Sequence, residues 1–204
     1  AVKGVALEDL RPALASMRQI KQASEIAALQ KAIDITGEAF AAAWDIRNTV
    51  EHEFNMQARM EFELRNRGAN GVAYGSIIAS GGHACTLHYE ANNASLKSNE
   101  LLLMDVGADY EYYAADITRT VSVGKRTDRQ KAVYDAVLHV QQTMMKKFVP
   151  GANRREIEDE TESMIGQELK KLKLITTMNR SAIRHYYPHA IGHFLGVDPH
   201  DLGD

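Results

Sequence analysis

Asp105 and Asp116 are the residues from which chemistry is most readily read in this chain. Asp105 closes Glu100-Leu101-Leu102-Leu103-Met104, an apolar run too short for a helix and long enough for a buried strand. The chain then turns through Gly107 to Glu111 and returns through Tyr112 to Ala115, with Asp116 on the return. Ile117 to Val123 alternates apolar and polar residues, the period of a strand. A hairpin of this kind brings two carboxylates from neighbouring strands together. Buried carboxylates at that range repel unless a cation lies between them. One divalent metal ion, or a pair, resolves the conflict and favours oxygen ligands. On the aspartates alone the bland alternative is stronger, because Asp suits turns at strand ends.

Histidines shift the balance. His189, His193 and His200 fall within twelve positions of a segment broken by Gly192, Gly196 and Pro199. Those breakers argue against a helix. In an extended chain, positions 189, 191 and 193 share a face, so His189 and His193 can point into one pocket. The glycines allow another backbone or a ligand to approach closely. Three histidines beside a carboxylate pair point to metal or acid–base work. His88 is a fourth candidate, although alone it reads as structural. His52, His83, His139 and His185 have weaker cases. Cys85 has no activating neighbour beyond His83 and reads as a small apolar residue.

The elements that must hold these residues are mostly helical. Residues 1–23 read as a lead-in helix or linker, and 24–204 as one domain. Ser24 is placed to cap a helix whose buried face is Ile26, Leu29, Ile33, Phe40 and Trp44. Asn48 to Glu51 signals the start of a second helix that buries Phe54, Ala58 and Phe62 and stops at Gly68. Tyr74 to Ala79 reads as a strand, Ser80 to His83 as a loop, and Thr86 to Tyr89 as a short extended piece. Thr127 to Gln130 is a capping box ahead of a long helix marked by Val133, Val137, Val140, Met144 and Phe148. A further helix carries Ile157, Met164, Ile165, Leu169 and Leu172. The chain from Tyr186 onwards reads as extended. Two helices then strands, followed by two more helices, suggest a duplicated α/β half whose second copy is incomplete.

Composition bounds the function classes. The 204 residues are 45% hydrophobic and 25% charged, ordinary for a soluble globular domain with a sizeable core. A net charge of -3 leaves no footprint for nucleic acid or an anionic membrane. No apolar run approaches the ~20 residues that span a bilayer. One cysteine allows no intrachain disulfide and fits a reducing compartment, so the expected location is cytoplasmic. The chain opens on Ala1 and reads as a processed product or an excised piece.

Taken together, Tyr74-Gly75-Ser76-Ile77-Ile78-Ala79-Ser80-Gly81, Leu87-His88-Tyr89, Met104-Asp105-Val106-Gly107, Ala115-Asp116-Ile117-Thr118-Arg119-Thr120 and His189 through Asp201 resemble the pita-bread metallopeptidases. The resemblance is to the aminopeptidase P and prolidase branch and runs from about Met17 to Asp204. It implies an α+β pita-bread (creatinase/aminopeptidase) fold of two pseudo-repeated α/β halves, the second incomplete here. It implies that Asp105, Asp116 and His193 are ligands of two divalent metal ions, with Asp116 bridging both. Carboxylate-rich ligation favours Mn²⁺, with Zn²⁺, Co²⁺ and Fe²⁺ as alternatives. His88, His189 and His200 resemble active-site histidines. The implied reaction is attack by a metal-bridged hydroxide on the bond between an N-terminal residue and proline. The implied partner is a peptide with proline at the second position, and relatives commonly pair, which makes a homodimer one expectation.

The resemblance also implies two glutamate ligands downstream of the histidine block, beyond Asp204. The expectation is therefore that these 204 residues alone are inactive or nearly so. A dipeptidase of the prolidase type is the runner-up. A methionine aminopeptidase is disfavoured by His189, which those enzymes typically lack. A pita-bread protein that only binds a partner, or a metal-free creatinase-like hydrolase, is disfavoured because Asp105, Asp116 and His193 are all present.

Overall fold

The computed structural model describes residues 8–203. It divides into two compact units, one from the described parts of Ala1–Lys125 and Phe194–Asp204, the other Arg126–His193.

The first unit places helices on a twisted antiparallel framework. α1 (Arg11–Gln19) buries none of its residues, and α2 (Ala23–Trp44) and α3 (Glu53–Asn66) follow it. Next come β1 (Gly71–Val72), β2 (Ile77–Ser80), a 3-10 helix over Gly81–Cys85, β3 (Leu101–Val106), β4 (Ala108–Tyr110), β5 (Tyr113–Ala114) and β6 (Ile117–Ser122). They form two three-stranded sheets, ordered β1-β4-β5 and β2-β3-β6. β3 pairs antiparallel with both neighbours, with Asp105 opposite Ile77 on β2 and Thr118 on β6. Alternation along β3 sends Leu102, Met104 and Val106 into the core and leaves Asp105 on the other face.

The expected Asp hairpin is present with its turn elsewhere. The reversal lies at Glu111-Tyr112, both at positive φ (51° and 67°), rather than across Gly107 to Glu111. Paired positive φ values give the mirror-image turn that matches strand twist. Gly107 does a different job. It is the corner at which the chain passes from one sheet to the other, and a Cβ there would collide with the Ala115 carbonyl.

The buried helix faces differ from those read in the sequence. α2 buries Ala28, Ala32, Ile35, Thr36, Ala39, Phe40 and Ala43, while Ile26, Ile33 and Trp44 are exposed. Small residues let this helix lie close to the sheet, and the Thr36 hydroxyl there accepts the Ala108 N–H at 2.9 Å. The helix starts one residue before Ser24, with the Glu25 carboxylate accepting the Gln22 N–H at 2.7 Å. α3 starts later than expected and buries Glu53, Met56, Met60, Glu63 and Leu64, leaving Phe54 and Phe62 in solvent. Thr86 to Tyr89 is not extended, because His88 sits in the left-handed region at φ 53°.

The fully buried Glu53 carboxylate organises the long loop after β2. Oε1 accepts the N–H and hydroxyl of Ser80, both at 2.7 Å, and Oε2 accepts the Ala94 N–H at 2.9 Å and the Tyr89 hydroxyl at 2.8 Å. Both ends and the middle of the segment carrying His83 and His88 are thereby tied to one side chain.

The second unit is helical. α4 (Asp128–Met145) opens with the expected capping box, in which the Thr127 hydroxyl accepts the Gln130 N–H and the Gln130 side chain accepts the Thr127 N–H. Val140 and Met144 pack on Ile157 of α5 (Arg154–Lys171), whereas Val137 and Phe148 are exposed. α6 (Arg180–Tyr186) closes a smaller cluster with Leu169 and Ile175. Among the described residues no helix is long and apolar enough to cross a membrane.

Burial pushes the Glu53 carboxyl up, but the Ala94, Ser80 and Tyr89 hydrogen bonds outweigh it and hold it below the usual range. Its contribution to stability is therefore present above the unfolded glutamate value of about 4.3 and is lost as pH falls through the lower folded value. Glu53→Gln turns an amide donor towards N–H and O–H donors, and unfolding at pH 7 is expected to cost about 1–3 kcal/mol less than in the parent. Denaturant titrations at pH 7 and pH 3 check this: the gap between parent and variant narrows in acid.

Candidate metal centre

Antiparallel pairing brings three chain ends to one end of the β2-β3-β6 sheet. The start of β2 lies beside the end of β3, and the start of β6 lies on its other side. Tyr74 precedes β2, Asp105 is the penultimate residue of β3, and Asp116 immediately precedes β6. The Tyr74 hydroxyl donates to Asp105 Oδ1 at 2.5 Å and lies 3.2 Å from Asp116 Oδ1. The two carboxylates thus converge on one phenol. Gly107 makes the approach possible, since a Cβ there would also press on the Tyr74 ring at 3.0 Å. Backbone bonds fix the corner, with the Ala115 N–H donating to Ala108 O at 2.9 Å and the Ala73 N–H to Gly107 O at 2.8 Å. Burial, then the two carboxylates, raise the Tyr74 phenol far above its ordinary value, so it stays a neutral donor.

The histidine segment meets this corner. One ligand atom from each of Asp116, His193 and His200 lies within 4.8 Å of the others. His193 is bonded directly to Phe194, at which the chain re-enters the first unit. Phe194 to Asp201 folds into a closed loop: the Asp201 N–H donates to Phe194 O at 3.0 Å, and the Ala114 N–H of β5 donates to Gly196 O at 2.8 Å. Asp116 is half-buried, and both histidines are exposed. A carboxylate and two imidazoles, beside a second carboxylate, offer the oxygen and nitrogen donors that a divalent transition-metal ion takes. The cluster is a potential metal-binding site, and its donor set fits such an ion.

The other sequence candidates lie as follows. His88 is exposed in the loop held by Glu53. His189, in the second unit, places Nδ1 2.9 Å from Ala190 O, and its ring meets the edge of Tyr187 at 5.3 Å. Arg184 holds that stretch, contacting Glu158, Glu162 and the His189 carbonyl. Burial pushes the Tyr187 phenol up to about 12.

Tyr74 has no counterpart among the candidate residues read from the sequence. The available signal was a hydroxyl-bearing aromatic just ahead of a buried strand that would pair with the strand of Asp105. Glu53 was also missed, because a glutamate in a helix's first turn is ordinarily a solvated partner of the helix dipole.

Residues 27–203 match metallopeptidase family M24. Xaa-Pro aminopeptidase 3 of Rattus norvegicus is 38% identical over 192 residues, covering 92% of this chain and 38% of that protein. Xaa-Pro aminopeptidase of Escherichia coli K12 is 33% identical over 201 residues, covering 96% of this chain and 46% of that protein. Two solved structures superpose closely. Aminopeptidase P from E. coli with the inhibitor Pro-Leu has a TM-score of 0.90 at 33% identity, covering 96% of this chain and 46% of that one. Pseudomonas aeruginosa aminopeptidase PepP has a TM-score of 0.89 at 33% identity with the same coverage. The chain thus spans less than half the length of these relatives and has the mixed α/β architecture of the pita-bread fold over that part. With the family match covering all but the two ends of the sequence, the chain belongs to metallopeptidase family M24.

Proposed function

We propose that this chain carries the metal- and histidine-bearing part of an Xaa-Pro aminopeptidase, which removes an N-terminal residue preceding proline. The observation that carries this reading is the convergence of Asp116, His193 and His200 beside the Asp105–Tyr74–Asp116 bridge. The names of the relatives supply the substrate class. In this reading Asp105, Asp116 and His193 hold two divalent ions, and the carboxylate-rich set favours Mn²⁺ over Zn²⁺, Co²⁺ or Fe²⁺. When bound, such ions act as Lewis acids and lower the pKa of water so that hydroxide is available near neutral pH.

The chain's own residues do the rest. Tyr74 orients both carboxylates through one hydroxyl and keeps its proton while doing so. His200, exposed beside Asp116, is placed to donate to an oxyanion developing at the scissile carbonyl. His88 and His189 serve as substrate-facing histidines on the loop held by Glu53 and on the stretch held by Arg184. The imide before proline has no N–H, so recognition there rests on shape and on its carbonyl. A prolidase-type dipeptidase is the second reading, and Ala-Pro-Ala against Ala-Pro separates the two. These 204 residues hold three of the five ligands that the resemblance implies, and by themselves they are expected to hydrolyse either peptide little or not at all.

Adding Mn²⁺ to the metal-free chain is expected to broaden the ring resonances of His193 and His200 before those of His52, His139 and His185. Asp116→Asn is expected to abolish that order. Uniform broadening of all histidines, or the same order in Asp116→Asn, sinks the site assignment. Tyr74→Phe is expected to weaken Mn²⁺ binding by about 10–100-fold, as loss of a partner that orients a ligand does. Isothermal titration of the variant beside the parent checks it, and equal affinities would remove Tyr74 from the site.

A further inference from the structure

A second cluster of charge lies at the Asp201 end of the histidine loop. The Asp201 side chain is 1% exposed, and Oδ2 accepts from Lys21 Nζ at 2.9 Å. Oδ1 contacts the Arg18 guanidinium, which also reaches Asp198 at 2.8 Å. A carboxylate buried this deeply persists as an ion only where its cations are. The loop is shaped around it: a Cβ on Gly196 would collide with the Asp201 carboxylate and lie 3.1 Å from the Lys21 side chain.

Apolar burial does not explain why the segment before α2 is there. α1 buries nothing, and Leu10, Leu14, Met17 and Ile20 are all exposed. Arg18 and Lys21 are what that segment brings to the unit's interior, at 27% and 12% side-chain exposure. Glu25 adds a second anchor by accepting the Tyr113 hydroxyl of β5 at 2.9 Å. Tyr113 lies three residues before Asp116, and Asp201 is bonded to His200. Residues 18–25, the end of that segment and the first turn of α2, therefore grip both strands of chain that meet at the candidate centre.

We infer that the Lys21–Asp201 ion pair, supported by Arg18, is a positioning device that sets His200 beside Asp116, so that residues ahead of α2 belong to the frame of the metal centre. The geometry leaves little slack. Consecutive Cα atoms are 3.8 Å apart, Asp201 is pinned at its carboxylate and its N–H, and Gly196 is tied to β5. Release of the carboxylate frees the end of the loop that carries His200. The inference rests on the metal reading above for its consequence, but not for the clamp itself.

The test uses the 204-residue chain with Lys21→Met, Asp201→Asn and, as the conservative variant, Lys21→Arg. Mn²⁺ affinity is read from the free-ion electron paramagnetic resonance signal, and amide hydrogen exchange is read in the metal-free protein. Lys21→Met and Asp201→Asn are expected to weaken Mn²⁺ by about 10–100-fold. They are expected to speed exchange across residues 194–201 by about tenfold, with α4 and α5 unchanged. Lys21→Arg is expected to restore both. Parental Mn²⁺ affinity in Lys21→Met, with exchange faster only in α1, means that the pair merely tethers the lead-in helix and overturns the inference. If the parent binds no Mn²⁺, the site within these 204 residues is unfinished, and exchange decides: faster exchange across 194–201 upholds the clamp, and unchanged exchange overturns it.

Discussion

Two carboxylates aimed at one hydroxyl are costly to assemble, and much of the first unit is arranged to make that assembly stable. Asp105 and Asp116 approach because β3 is flanked by antiparallel partners whose starts lie at its end. A glycine at position 107 admits the Ala115 carbonyl and the Tyr74 ring to the same corner. Thr36, reaching from α2 to the Ala108 N–H, ties the helical layer to that corner. Each connection is a hydrogen bond or a close approach, and at Gly107 even a single added carbon would collide. Like charges held this way form a standing demand for a cation, and the histidines stand where that demand can be met.

Much of this was legible in the sequence because strand alternation is a local signal. The run before Asp105 and the alternation after Asp116 give β3 and β6 directly, and antiparallel pairing follows from their closeness in the chain. The capping residues of α4 are equally local. The buried faces of α2 and α3 were misjudged for one reason: large apolar residues were taken to mark the core. Phe40 is buried as read, but most of the buried face of α2 is small, Ala28, Ala32, Ala39 and Ala43, with Ile35 and Phe40 as its large members. Ile26, Ile33 and Trp44 look outward, as do Phe54 and Phe62 of α3.

Interactions that no window along the chain can reveal fasten the loops that carry the candidate histidines. Glu53 binds Ser80, Tyr89 and Ala94, which lie 27, 36 and 41 residues away. Lys21 binds Asp201 across 180. A glutamate at a helix start and a lysine in a lead-in segment carry no mark of burial, because nothing in their neighbourhood announces the loop they will hold. Candidate residues stand out by type and spacing, and the resemblance adds their expected roles, whereas the residues that fasten their loops carry no such mark.

So long a separation also orders events in time. Contacts between distant residues must first meet the entropy of closing the intervening chain, and they form late. The sheet corner with Asp105, Asp116 and Tyr74 closes over at most 42 residues and can assemble while later residues are still being synthesised. The histidine loop is fastened only after residue 201 has emerged and found Lys21. Until then the two converging carboxylates stand without the histidines that later join Asp116. The candidate cluster therefore forms after the sheet corner that receives it, and its histidine half depends on long-range contacts.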